Sequence, residues 1–432
     1  MRRSLARLTC LVVLLTLLVG CGDNETGESE NQIADAVEND ENITLRMTTW
    51  NFAGAVEFQE LIRAYEDKNP HITIEAVDIA SENYGERVIT MLAGGEEVDI
   101  LTMKDVTQYN NLAQRGQLLE ITDFIQTLDI DAYQGAIDYL KMEDSYFAVP
   151  YRNDFWVIFY NQDIFDQHGI DYPEYLTWED YRELAAKLTS GTGSDKVYGA
   201  YQHSWRSTLH AFAGAQTEGD LLTPDYSFMA PYYEVILGMQ EDGSIMEYGT
   251  IRSSNTSYQS MFELEKAAMV PMGTWYMQQI LTTAQETGTI NMNWGLAPVP
   301  QMSNGNEEIT TFGSPTSFAI NANSKHAEEA LRFIEFASGE EGAEVLAGIG
   351  IVPALRTEKI NHALFSLEGI PNDELSLRAF EPDAIGIEMP QNEHTPAIDL
   401  ILGEEHELIM IGENPPEEGI ERMEERVTQA IN

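Results

Sequence analysis

Ile43-Thr44-Leu45-Arg46-Met47-Thr48-Thr49-Trp50 reads as a β-strand, and the residues after it decide the fold. Phe58, Leu61, Ile62 and Tyr65 recur at i, i+3, i+4 and i+7, the spacing that gathers apolar side chains on one face of a helix. Asn69-Pro70 stops that helix, because a proline cannot continue it. Ile72, Ile74 and Ala76 then alternate with polar residues, which gives a second strand. Another helix carries Val88, Met91 and Leu92 and ends at Gly94-Gly95; Val98-Asp99-Ile100-Leu101 follows as a short buried strand. Strand, helix, strand, helix, strand predicts a parallel sheet with helices on its faces.

The α/β pattern returns further along. Phe155–Tyr160 is an apolar run, and Thr177-Trp178-Glu179-Asp180 has the form of a capping box opening a helix that buries Tyr181, Leu184, Ala185 and Leu188. Ser317–Asn321 is strand-like, Ala330, Phe333, Ile334 and Ala337 mark a helix, and Ile420, Met423, Val427, Ala430 and Ile431 mark another. At 432 residues the chain exceeds one ordinary core and predicts two or three domains. No short period repeats, so a solenoid is not expected.

Toward the N-terminus the character changes. Met1–Gly20 has a charged start at Arg2, Arg3 and Arg7, then an apolar core at Leu8–Val19 that is short for a membrane span. Leu18-Val19-Gly20-Cys21 resembles the bacterial lipobox, which implies cleavage before Cys21 and lipid attachment to it, with Cys10 discarded. Residues 21–42 are acidic and nearly free of large apolar side chains, the composition of a disordered tether. Formal net charge is −48, from 24 Lys and Arg against 72 Asp and Glu. Such a surface repels nucleic acid and anionic headgroups, so neither is an expected partner; solubility in saline or alkaline surroundings is its plainest meaning. Two cysteines cannot build a disulfide framework.

Four blocks in order resemble the bacterial extracellular solute-binding family that includes maltose-binding protein. They are Met91–Ile100, with Val98 where the family has proline; Phe147-Ala148-Val149-Pro150-Tyr151 with Phe159–Phe165 and Thr177–Asp180; Lys266–Trp275; and Gly295–Pro300 through Ile320-Asn321 to Ala330–Phe336. The resemblance implies a two-lobed fold of periplasmic-binding-protein type II, each lobe a central sheet flanked by helices, with a ligand cleft at the hinge. It places crossings near Arg152–Val157, near Gly313–Ser317 and somewhere after Leu355. Lobe one would hold 43–153 plus about 316–361, and lobe two about 154–315 plus 362–432. It further implies the substrate-binding lipoprotein of an ABC importer: a monomer without cofactor that closes on a small solute, expected to be a sugar, and hands it to permease subunits. Binders of polyamine or ferric ion share the architecture, and Tyr232-Tyr233 is similar to the tyrosine pairs of iron-binding relatives.

Enzyme motifs are missing: there is no His-Glu-x-x-His, Gly-x-Ser-x-Gly, Walker loop or Cys-x-x-Cys. A secreted carbohydrate-active enzyme is the rival from another class. The eight histidines are scattered; His203 and His210 are two helical turns apart with no third ligand nearby, so no metal site is expected. Sugars are bound by aromatic faces against their C–H surfaces and by planar polar groups on adjacent hydroxyls. Candidates are therefore Trp, Tyr and polar residues at strand ends and crossings. By position these are Trp50 and Asn51 after the first strand, Glu82 and Asn83 after the second, and Asp105 and Tyr109 after the third. Tyr151, Asn153 and Asp154 sit at the first crossing with Arg152, Gly313 and Ser314 at the second, and Tyr201, His203 and Trp205 follow Val197–Ala200. Trp275 and Asp154 match a stacking tryptophan and an acidic ligand residue of the resembling family, and Glu388 is a late contact.

Overall fold

A computed structural model describes residues 42–432 except 218, 289–291 and 304–307. The expected signal segment and tether, with Cys21, lie outside the described residues. Among the described residues nine strands are found: β1 (Ile43–Trp50), β2 (Ile72–Ile79), β3 (Ile100–Met103), β4 (Ala148–Asn161), β5 (Tyr198–Ala200), β6 (Ala267–Gly273), β7 (Trp294–Ala297), β8 (Thr310–Ile320) and β9 (Ala384–Ile387). They are ordered β2-β1-β3-β8-β4-β6-β5, with β7 added on β4 and β9 on β8.

The opening strand–helix–strand unit forms as read. β1 pairs in parallel with β2 along its whole length, and β3 joins β1 in parallel at Met47–Ile100. The helix Val56–Lys68 covers this sheet with Phe58, Leu61, Ile62 and Tyr65 buried. The third strand begins at Ile100 rather than Val98; Asp99 just before it donates its N–H to the Arg46 carbonyl at 2.9 Å, and its carboxylate accepts from the Arg46 N–H at 2.9 Å and the Ser324 hydroxyl at 2.6 Å. Beyond this unit the sheet is mixed, not parallel. β8 runs antiparallel to β3 and β4, and β4 antiparallel to β6 and β7. Long strands that return across the molecule, instead of helical crossovers, produce this mixture.

Two separate hydrophobic cores form. One gathers Leu45, Phe58, Tyr84, Ile100, Tyr109, Phe318 and Phe333; the other gathers Phe159, Tyr181, Phe212, Tyr233, Val270, Leu402 and Met423. β4 and β8 run through both halves. β4 pairs with β8 from Ala148 to Phe155, then with β6 from Trp156 to Tyr160. Between Pro150 and Arg152 the β4–β8 register slips at a bulge. A bulge adds one residue and re-aims its neighbours. Tyr151 is turned into the first core, stacked on Phe318 at 4.2 Å, while Arg152 and Asp154 share a face at the crossing. A later passage occurs near residues 354–360, where Ala354 belongs to the first core and Ile360 to the second. Thr177 and Asp180 form the expected capping box on the helix Trp178–Leu188.

Candidate functional site

A cleft of about 970 Å³ lies where β4 and β8 pass between the cores. Its first wall is built from the ends of β1, β2 and β3. Trp50 closes β1, and its ring is fixed edge-on by Phe58 and Tyr84, with centroids at 5.0 and 5.3 Å. Asn51 follows with φ of +47°, a left-handed turn that Asn tolerates better than most residues; its side chain accepts from the Ser81 N–H at 3.1 Å. Lys104 donates to the Ser81 hydroxyl at 2.6 Å, and burial lowers its pKa. Asp105 caps the helix Val106–Gln114 by accepting from the Gln108 N–H at 2.7 Å.

The second wall is aromatic. Trp205 is 43% exposed and stacks on buried His203 at 4.6 Å, while the His203 Nε2–H donates to the Pro271 carbonyl at 2.8 Å. Trp156, buried behind them, meets Trp205 and Trp275 edge-on at 6.1 and 5.8 Å. Trp275 lies over Gly273 so closely that a Cβ there would come within 1.9 Å of the indole ring. Glycine at 273 is what permits the pose. Arg206 pairs through Nε with Asp399 at 2.6 Å on the same wall.

The floor is an ion cluster at the crossing. Arg152 stands between Glu57 and Asp154, at 3.1 Å from each. Burial pushes both carboxyls up, while the guanidinium pulls them down. Half-buried Glu388 also has a raised pKa, from burial, offset by the Ser207 hydroxyl and Arg206.

Of the residues expected from sequence, Trp50, Asn51, Glu82, Asp105, Asp154, Trp205, Trp275, Ser314 and Glu388 line this cleft together. Seven do not. Tyr109 is fully buried and donates its hydroxyl to the Leu140 carbonyl at 2.6 Å. Tyr151 went into the core at the bulge, and Asn153 is buried opposite Pro315. Tyr201 donates to the Thr256 carbonyl at 3.0 Å, and His203 supports Trp205 from beneath. Asn83 precedes the helix Tyr84–Ala93 without lining the cleft. Gly313 has its backbone committed to the sheet: it lies opposite Phe155, and its carbonyl accepts from the Glu388 N–H at 3.0 Å.

Sequence reading missed Glu57, Lys104, Gln108, Arg206, Tyr258 and Asp399, all of which line the cleft. Adjacency to Trp205 could have flagged Arg206. Nothing local marks Tyr258 or Asp399, which arrive from helices distant in sequence. The tyrosine pair does not form an iron site: Tyr232 and Tyr233 are buried in the helix Ala230–Glu241, and the Tyr233 hydroxyl lies 2.7 Å from His210 and 3.0 Å from His406. Among the described residues no group of three potential metal ligands exists.

A cleft between two sheet-built halves joined by crossing strands is the geometry of a solute trap, and comparison with known proteins agrees. Residues 50–344 match the bacterial extracellular solute-binding protein family. The chain belongs to that family. A sugar transporter from Rhizobium etli, solved in an open conformation, is 35% identical, with a TM-score of 0.79 over 89% of this chain and 99% of that one. The arabinooligosaccharide-binding protein of Bacillus subtilis is 22% identical over 77% of this chain and 75% of its own length. A Listeria monocytogenes ABC substrate-binding protein in complex with cycloalternan is 19% identical, with a TM-score of 0.75 over 90% and 98% of the two chains, a likeness of fold. The α/β architecture of this solute-binding protein is thus that of the two-lobed periplasmic binding proteins.

Proposed function

We propose that this solute-binding protein captures a carbohydrate, a mono- or oligosaccharide, and delivers it unchanged to the permease of an ABC importer. The observation that carries the reading is Trp205, a tryptophan 43% exposed on a cleft wall in a chain that buries most of its aromatic rings. A large apolar face kept open beside carboxylates and amides matches a sugar ring, which offers C–H surface on one side and hydroxyls around its edge. Trp275 gives a further face, and Glu82, Asp105, Gln259 and Glu388 give polar partners.

Capture proceeds by closure. The division proposed puts 43–153 plus about 316–361 in lobe one and the rest in lobe two, with β4 and β8 as hinges. A ligand touching both walls favours the closed state by its extra affinity for it. Nothing in this scheme transforms the ligand: no cofactor is required, and the carboxylates serve as hydrogen-bond acceptors. Cys21, acylated after cleavage of residues 1–20, would anchor the protein outside the cytoplasm, with residues 21–42 as tether; a monomer suffices.

The test is a thermal-shift screen of residues 43–432 against sugars, amino acids, polyamines and ferric ion, followed by calorimetry. A ligand that binds only the folded state raises the melting temperature. Stabilisation by carbohydrates with no change in the ligand recovered supports the proposal. Stabilisation by polyamines alone, to which the wall carboxylates would also be attractive, overturns it; conversion of a sugar into product would expose an enzyme.

A further inference from the structure

Asp154 lies on the cleft floor, 3% exposed, and each of its oxygens already has a protein partner. Oδ1 accepts from the Thr274 hydroxyl at 2.9 Å, Oδ2 faces Arg152 Nε at 3.1 Å, and the Trp275 backbone N–H helps hold the carboxyl's pKa down against burial. A carboxylate so engaged has little left to offer a ligand. What it grips instead is Thr274, the residue that leads into Trp275. On its other side Arg152 continues to Glu57 at 3.1 Å, and its guanidinium lies 5.9 Å from the Trp50 ring centre.

We infer that Asp154 is a positioning residue rather than a ligand contact, fixing Trp275 on one wall and, through Arg152, tying it to Trp50 on the other. The inference rests on the carbohydrate reading above. It gives the family's acidic position at the first crossing a different role in this chain. Trp275 and the buried Trp50 then both depend on one ion cluster beside the point where β4 exchanges β8 for β6. Loss of the carboxylate releases the Thr274 hydroxyl, leaving the turn held there only through its main chain, by the Thr274 N–H on the Phe155 carbonyl at 3.0 Å, and affinity falls because the indole face is misplaced.

The experiment is a double-mutant cycle by isothermal titration of wild type, Asp154→Ala, Trp275→Ala and the double variant, with mannobiose, maltotriose and arabinotriose as probes. Asp154→Ala weakens binding of the tightest probe by roughly tenfold or more, and adds less than about twofold once Trp275 is gone, as expected when one residue acts through the other. Asp154→Asn, which keeps an acceptor for the Thr274 hydroxyl, recovers most of the affinity. Thr274→Val, which removes one neutral bond and leaves the ion cluster intact, weakens binding less and again only when Trp275 is present. Equal losses in both backgrounds, or no recovery with Asn, overturn the inference in favour of direct contact. Near-UV circular dichroism without ligand gives an independent reading: the Asp154→Ala spectrum moves toward that of Trp275→Ala, and an unchanged spectrum overturns positioning. If no probe binds wild type yet the spectra shift as stated, it is the carbohydrate reading that fails.

Discussion

Trp205 and His203 lie face to face, their ring centroids 4.6 Å apart and their planes inclined by 19°. One face of the indole is thereby supported from inside the protein, while 43% of the residue remains exposed at the cleft. The supporting imidazole is neutral, since burial lowers its pKa to about 4. An uncharged, well-packed backing leaves the outer face rigid and apolar, the surface on which a sugar ring would rest.

Replacing Trp205 with Ala should therefore separate binding from stability. Because 43% of the residue is exposed, the unliganded protein should lose only about 1–2 kcal/mol. Affinity for the captured sugar should fall by roughly ten- to a hundredfold, a large aromatic contact being removed from the ligand. Trp156→Ala should show the opposite weighting, losing about 3–5 kcal/mol of stability as a buried ring is deleted. Chemical denaturation and calorimetry on both variants check the contrast.

Stability should decline as pH falls from about 6.5 toward 4. His203 and His406 are buried, with pKa lowered to about 4 and about 3, and His210 is lowered as well. The unfolded chain binds protons on these imidazoles at pH values where the folded chain cannot, so stability rises with pH across this window and is lost on acidification. A tenfold difference in proton affinity between the folded and unfolded chain is worth about 1.4 kcal/mol, so His203 alone contributes roughly 3 kcal/mol to the change. Glu57 and Asp154, whose carboxyls are raised, act in the opposite sense over the range between their unfolded and folded values. Melting temperature against pH tests the net direction, and imidazole proton shifts should show His203 and His406 not titrating above pH 5.

Arg152→Met should be among the most damaging single changes at the crossing. It leaves Glu57 and Asp154 buried without their counter-ion, at a cost of about 3–5 kcal/mol. The loss should be worse at pH 8 than at pH 5, where the orphaned carboxyls can take up protons. Adding Glu57→Gln and Asp154→Asn should restore much of it and flatten the pH dependence, as read from urea denaturation.

Gly273→Ala tests the seat of Trp275. A Cβ would reach within 1.9 Å of the ring, so the indole must move, costing about 1–3 kcal/mol of overpacking strain and weakening ligand binding. Thr177→Ala serves as a control remote from the cleft: it breaks the capping box on Trp178–Leu188, costing about 1 kcal/mol with affinity unchanged.

The opening β-α-β-α-β unit was legible because its signals are local. Apolar spacing fixed Val56–Lys68, and alternation fixed β1 and β2 within a residue or two. Residues immediately after those strands, Trp50, Asn51 and Glu82, consequently reached the cleft as expected. Tyr109, Tyr151 and Tyr201 did not, for a shared reason: a tyrosine near a strand end serves equally well as a core residue, and sequence position does not distinguish the two uses. In Tyr151 the deciding feature was a bulge, which inverts facing without leaving a compositional mark.

The sequence by itself determined the α/β class, the opening unit with a few later elements, and the presence of aromatic and acidic residues at the crossings, since periodicity and turn chemistry act over a few residues. Only tertiary structure decided which of them share a wall. Arg206 meets Asp399 across 193 positions, and Arg152 meets Glu57 across 95. Contacts of that span are set by how β4 and β8 thread both cores and by which side chains their register turns toward the gap, and neither is encoded in any short stretch of residues.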